Sequence, residues 1–143
     1  MANARLPDGN GAGWWPPGPA PRHNARAMRL RSLLFIPGHR ARFYEKLPEF
    51  GPDGVILDLE DAVPPAEKPL ARQTVRERLG GPLLAGYRVF VRVNATGTPY
   101  FRDDVRVVVA PGLDGIFLPK VESAEQLREA NMVLAQAELR AGL

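Results

Sequence analysis

A chain of 143 residues, 45% hydrophobic and 24% charged, has the composition of one globular domain, and no stretch reaches the roughly 18 consecutive apolar residues of a membrane span. Cysteine is absent, which excludes disulfides, thiol nucleophiles and cysteine metal sites; with only two histidines, any metal is expected on oxygen ligands. The formal charge of +3 is concentrated at the start, where Arg5, Arg22 and Arg26 face Asp8 alone, so the remainder is nearly neutral and its alternating arginines and acids exclude a nucleic-acid stripe.

Residues 1–27 contain nine glycines and prolines and no hydrophobic period, and they are expected to form a disordered tail. A proline-rich ligand for a partner domain is the functional alternative. The start lacks a basic segment followed by an apolar one, so no export signal is expected, and with no membrane span the location is predicted to be cytoplasmic. Periodic structure begins at Met28 and defines one domain over 28–143.

Apolar runs at 33–37, 55–59, 89–93 and 116–119 alternate with helical stretches, the pattern of parallel strands joined by helices. The spacing predicts four strand–helix units of a (β/α)8 barrel. The first helix, around Ala41 to Leu47, is expected to stop at Pro48. In the second, Ala71, Val75 and Leu79 make one stripe, with Pro69 tolerable only in the first turn. The stretch from Tyr100 to Val109 supplies the third. The last is marked by a capping-box spacing from Ser123 to Gln126, by a stripe of Leu127, Ala130, Leu134 and Ala137, and by Gly142 as a stop.

Each run ends in chemistry. With a period of two, Ile56, Asp58 and Glu60 share a face, as do Phe90, Arg92 and Asn94, and Ile116, Leu118 and Lys120. If these faces point into a barrel, Asp58, Glu60, Arg92 and Lys120 gather at its C-terminal mouth, the cations pairing with the carboxylates. Asp58 reads as part of a structural ion network. Arg92, with Asn94 beside it and a glycine-containing loop behind, offers a planar fork for a substrate carboxylate. Lys120 can neutralise substrate charge or pair with Glu60. The Pro-Gly turn at Pro37 and Gly38, with His39 and Arg40, can present amides and a cation to an anion, or be an ordinary strand-to-helix turn.

Four ordered blocks carry a resemblance: RSLLFIPG ending at Gly38 with Arg40 and Lys46; GVILDLEDAVPPAEK ending at Lys68; VRVN ending at Asn94 with GTPYF ending at Phe101; and LPKVES ending at Ser123. Together they resemble the citrate lyase β-subunit and malyl-CoA lyase group of the HpcH/HpaI aldolase superfamily. The resemblance implies a Mg2+-dependent (β/α)8 lyase that cleaves or forms the carbon–carbon bond of a 3-hydroxyacyl-CoA such as citryl-CoA or malyl-CoA. On that likeness Arg92 binds the substrate carboxylate, Phe35, Arg40 and Lys46 contact the CoA portion, and Glu60 and Asp61 give acid/base or supporting function near the metal. The family draws its metal carboxylates, a Glu and an Asp, from the fifth and sixth strands, so no metal ligand is assigned among these four units, Glu122 included. The expectation is an N-terminal half-barrel, inactive alone, of a protein that is homo-oligomeric when complete. Its alternatives are a pyruvate-type aldolase without CoA and a non-enzymatic half-barrel interaction module.

Overall fold

The four apolar runs become four strands: β1 (Leu33–Pro37), β2 (Gly54–Asp58), β3 (Arg88–Arg92) and β4 (Gly115–Phe117). They are seen in a computed structural model that describes residues 30–143; the expected disordered tail, 1–27, lies outside the described residues. The strands form one sheet in the order β1-β2-β3-β4, every pairing parallel, with Ile36 opposite Leu57, Leu57 opposite Val91 and Val91 opposite Ile116. Helices fill the crossovers: α1 (Ala41–Glu45) and α2 (Leu47–Phe50), then α3 (Lys68–Arg78), then α4 (Phe101–Val108), while α5 (Ala124–Ala141) follows β4. The result is an α/β fold on a four-stranded parallel sheet.

Alternation along the strands divides the sheet into two unlike faces. Ile36, Val55, Leu57, Val89 and Val91 are buried in a core with Ala71 and Val75 of α3 and with Phe101, Val105 and Val108 of α4. Burying each such side chain contributes roughly 1.5–3 kcal/mol before the entropy of ordering is set against it. On the other face Leu33, Phe35 and Phe117 remain 36%, 48% and 39% exposed. Phe90 and Phe117 meet there edge to face, ring centroids 5.6 Å apart.

Several local expectations are corrected. Pro48 does not stop the first helix; Lys46 ends α1 and starts α2, and Pro48 lies in the first turn of α2, where its missing N–H is not needed. The stop is Gly51, at φ 55°, whose N–H donates to the Leu47 carbonyl at 3.3 Å. In α5 the inward stripe is Ala130, Val133, Leu134 and Ala137, and Leu127 is 54% exposed because it lies in the first turns, beyond the reach of the core. Pro69 falls in the first turn of α3, and the box at Ser123 forms with both of its arms.

Gly38 is fixed by proximity. Its N–H donates to the Asp58 carbonyl at 2.8 Å, and a Cβ there would stand 2.8 Å from that same oxygen and 3.0 Å from Val75 Cγ2. Only a residue without a side chain lets the turn after β1 lie this close to the end of β2. The buried Tyr44 hydroxyl donates to the Gly38 carbonyl from the other side, at 3.2 Å.

Candidate functional site

The last register position of the β2–β3 ladder pairs Asp58 with Arg92. Two side chains that face the same way at that position must meet, and they do so as a fork: Arg92 Nε donates to Asp58 Oδ1 at 2.8 Å and Nη2 to Oδ2 at 2.7 Å. Asp58 also accepts the backbone N–H of Glu60 on Oδ1 at 2.8 Å and that of Ala62 on Oδ2 at 3.2 Å. Burial pushes the Asp58 carboxyl upward, yet the hydrogen bonds from Arg92, Glu60 and Ala62 outweigh it and hold the group below the ordinary carboxylate range. All its acceptor directions are used, so Asp58 orients its neighbours.

The chain leaves β2 at Asp58 and turns, and the turn carries Glu60 and Asp61 to the second edge of the guanidinium. Arg92 Nη1 lies 3.2 Å from Glu60 Oε2 and 3.8 Å from Asp61 Oδ2. Lys120, from the loop after β4, closes the group with Nζ 2.8 Å from Glu60 Oε1 and 3.1 Å from Asp61 Oδ1. These partners raise the Lys120 ammonium above its ordinary value, the close contact with Glu60 foremost. Lys120 stands at φ 53°, a left-handed conformation rare for a residue with a side chain. Glu60 is only 6% exposed, and among the described residues neither of its oxygens accepts a hydrogen bond of full geometry despite both ion pairs.

The strand ends thus bring together Asp58, Glu60, Asp61, Arg92 and Lys120. Phe35 joins from β1: the Arg92 guanidinium carbon stands 4.9 Å above the centre of its ring. Arg40 and Lys46 stay apart from this group. Arg40 precedes α1 and donates from Nε to His39 Nε2 at 3.0 Å, and Lys46 sits exposed at the junction of α1 and α2 with no ion pair among the described residues.

Two expected placements are overturned. Asn94 does not share a face with Arg92: the strand has ended, and Asn94 turns to the helix side, where Nδ2 donates to the Leu59 carbonyl at 2.9 Å and to Asp104 Oδ2 at 2.6 Å. Ile116 and Leu118 face the helices, with Phe101, Val105, Ala130 and Leu134 around them, and Phe117 takes the face of Phe90 and Arg92. Lys120 reaches the acids through its irregular backbone, not through strand alternation.

Beneath the acidic turn lies a residue that the periodic reading did not single out. Lys68 opens α3, is 5% exposed, and donates from Nζ to the carbonyls of Leu59 at 2.8 Å and Glu60 at 3.0 Å. Burial pushes this ammonium below the ordinary lysine range against the pull of Asp104, Asp58, Glu60 and Asp61. Behind it Asp104 of α4 accepts from Arg72 at 2.9 Å and from the Asn94 N–H at 2.9 Å.

Among the described residues no three His, Asp or Glu side chains converge as a metal site needs. Asp58 is saturated, and Glu60 and Asp61 are already engaged in ion pairs with Arg92 and Lys120. The described donor set therefore does not by itself fit a Mg2+ centre.

A parallel α/β sheet with a cluster of acids, an arginine and a lysine at the C-terminal ends of its strands defines the class. The family model for HpcH/HpaI aldolase/citrate lyase matches residues 31–142, and the chain belongs to that family. It is 43% identical over 123 residues to the citrate lyase subunit beta-like protein of Deinococcus radiodurans, covering 81% of this chain and 42% of that protein. It is 39% identical over 103 residues to the (3S)-malyl-CoA thioesterase of Cereibacter sphaeroides, covering 72% and 36%. Among solved structures it is similar to CitE from Mycobacterium tuberculosis in complex with magnesium, acetoacetate and coenzyme A, with 36% identity, a TM-score of 0.55, and 68% and 35% covered. The chain thus spans 36% to 42% of the length of these two curated relatives.

Proposed function

We propose that residues 28–143 are the N-terminal half of a (β/α)8 barrel and serve a carbon–carbon lyase acting on a 3-hydroxyacyl-CoA of the citryl-CoA or malyl-CoA type. The observation that carries this reading is Arg92, held at the mouth by Asp58 through two donors with its far edge turned to Glu60. A guanidinium fixed on one edge is pre-organised to take a substrate carboxylate on the other without first ordering a flexible side chain. Glu60 and Asp61 are the acid/base or supporting carboxylates, and Lys120 balances their charge until substrate arrives. Phe35 under Arg92, together with Arg40 and Lys46, serves the CoA portion, the two cations suiting its phosphates.

In this reading Mg2+ belongs to the complete barrel, its ligands on strands five and six, and no step is assigned to it on the residues described. The complete protein works in the cytoplasm as a homo-oligomer, and the half-barrel alone is inactive. The test is CoA-thioester binding and cleavage by the longer protein that carries this segment. Cleavage of malyl-CoA or citryl-CoA is expected, with CoA-thioester binding weakened about tenfold or more in Arg40→Ala, as loss of a phosphate-pairing cation requires. Cleavage of a free oxo-acid aldol with no response to CoA would favour the CoA-independent aldolase, and lyase activity from residues 28–143 alone would overturn the division of labour.

A further inference from the structure

We infer that Lys68 is a positioning residue of this site, its buried ammonium fixing the turn that presents Glu60 and Asp61; the inference rests on the reading above that these carboxylates act in the reaction. The backbone of that turn is almost fully committed. The Leu59 N–H donates to the Arg92 carbonyl at 2.9 Å, the Glu60 N–H to Asp58 Oδ1 at 2.8 Å and the Val63 N–H to the Glu60 carbonyl at 3.1 Å. The carbonyls of Leu59 and Glu60 converge on Nζ of Lys68.

A buried ammonium with no carboxylate in hydrogen-bond contact is costly, and here it is spent on two peptide carbonyls. A third contact sets its direction: Nζ lies 5.2 Å from the centre of the Tyr100 ring, at the start of α4. Lys68 therefore ties the acidic turn to the N-terminus of α3 and to the N-terminus of α4 together, while its positive charge stands below three acids that carry only two cations above. Removing it leaves the Leu59 carbonyl with Asn94 Nδ2 alone and the Glu60 carbonyl with the Val63 N–H alone, so the peptide between them loosens and the Glu60 carboxylate loses part of the fixed origin from which it meets Arg92 and Lys120. Because Lys68 touches neither Arg92 nor the far edge where substrate would lie, its loss should act on the rate of reaction more than on binding.

The absence of cysteine allows a clean test, because Lys68→Cys introduces a single thiol. That thiol is alkylated in the unfolded chain with 2-bromoethylamine, which restores an ammonium at nearly the original length. Amide hydrogen exchange in the 143-residue chain is expected to rise about tenfold or more at Glu60, Ala62 and Val63 in Lys68→Cys, to stay unchanged in α5, and to return on aminoethylation. Lys68→Gln, which keeps one amide donor, is expected to fall between the two, and it carries the test if the cysteine variant does not fold. Unchanged exchange at the turn, a uniform rise across the chain, or no recovery on aminoethylation would overturn the inference. In the longer protein, Lys68→Gln should lower kcat with little change in KM; an unchanged kcat would overturn it as well. A wild-type protein without lyase activity would instead overturn the functional reading, and the exchange pattern would still decide the role of Lys68.

Discussion

Asp58 and Arg92 occupy the same rung of the sheet, one on β2 and one on β3, and their side chains join the two strands beyond the last backbone pairing with two parallel hydrogen bonds of 2.8 and 2.7 Å. The pair is structural on one side, since it fastens neighbouring strands, and functional on the other, since it aims the guanidinium. Replacing Asp58 with Asn removes the charge and one acceptor while leaving Arg92 partly buried. Breaking a buried pair costs about 3–5 kcal/mol, and with Arg92 partly open to solvent the expected loss is about 2–3 kcal/mol. Urea unfolding of residues 28–143 measures it, and a loss under about 1 kcal/mol would mean that the fork adds little to stability.

The same fork sets an acid limit. Asp58 has a folded-state value below the ordinary carboxyl value of 3.8, so its contribution is fully present above 3.8 and is lost as pH falls through the lower folded value. Asp53, clamped by Arg31 through its side chain and amide, is lowered as well and acts in the same direction. Unfolding free energy is therefore expected to fall with pH below that point and to fall less steeply in Asp58→Asn. Parallel slopes for the two proteins between about pH 2 and 4 would contradict the assignment.

Gly38→Ala places a methyl group 2.8 Å from the Asp58 carbonyl oxygen, a contact that backbone must move to relieve. The expected cost is about 1–3 kcal/mol, with a shift in the resonances of Asp58 and Leu59 that marks where the strain goes. A neutral substitution would show that the turn after β1 has room to retreat.

The start of α5 is held by Ser123, whose hydroxyl accepts the Gln126 N–H at 3.3 Å while Gln126 Oε1 accepts the Ser123 N–H at 3.2 Å. Ser123→Ala should cost about 1 kcal/mol, read in thermal unfolding, with exchange rising first at Glu125 to Leu127.

Arg92→Lys keeps the charge and loses the planar fork. In the longer protein its kcat/KM is expected to fall about a hundredfold or more, because a lysine cannot hold Asp58 and a second carboxylate in two parallel pairs. Steady-state kinetics with malyl-CoA decide it, and a change under about threefold would remove Arg92 from the substrate site.

The strands were legible because each is a local run of apolar residues, and the meeting of Asp58 with Arg92 followed from strand ends alone. Leaving the ladder erased that legibility. Asn94 and Lys120 both lie past the last paired residue, where the period of two no longer applies; one turned toward Asp104 and the other needed a left-handed backbone. Alternation puts Ile116 on the wrong face because β4 is only three residues long, too short for a period of two to define its orientation. Lys68 was hidden for another reason: its partners are main-chain carbonyls, which no side-chain pattern announces.

That spatial order repeats chain order carries a consequence for how the molecule comes into being. Gly54 docks on Leu33, Arg88 on Gly54 and Gly115 on Phe90, so each new strand finds its neighbour 21, 34 and 25 residues back along the polypeptide. Such short closures cost little extra entropy and let the sheet grow by accretion during synthesis, with Arg92 arriving at an Asp58 already in place.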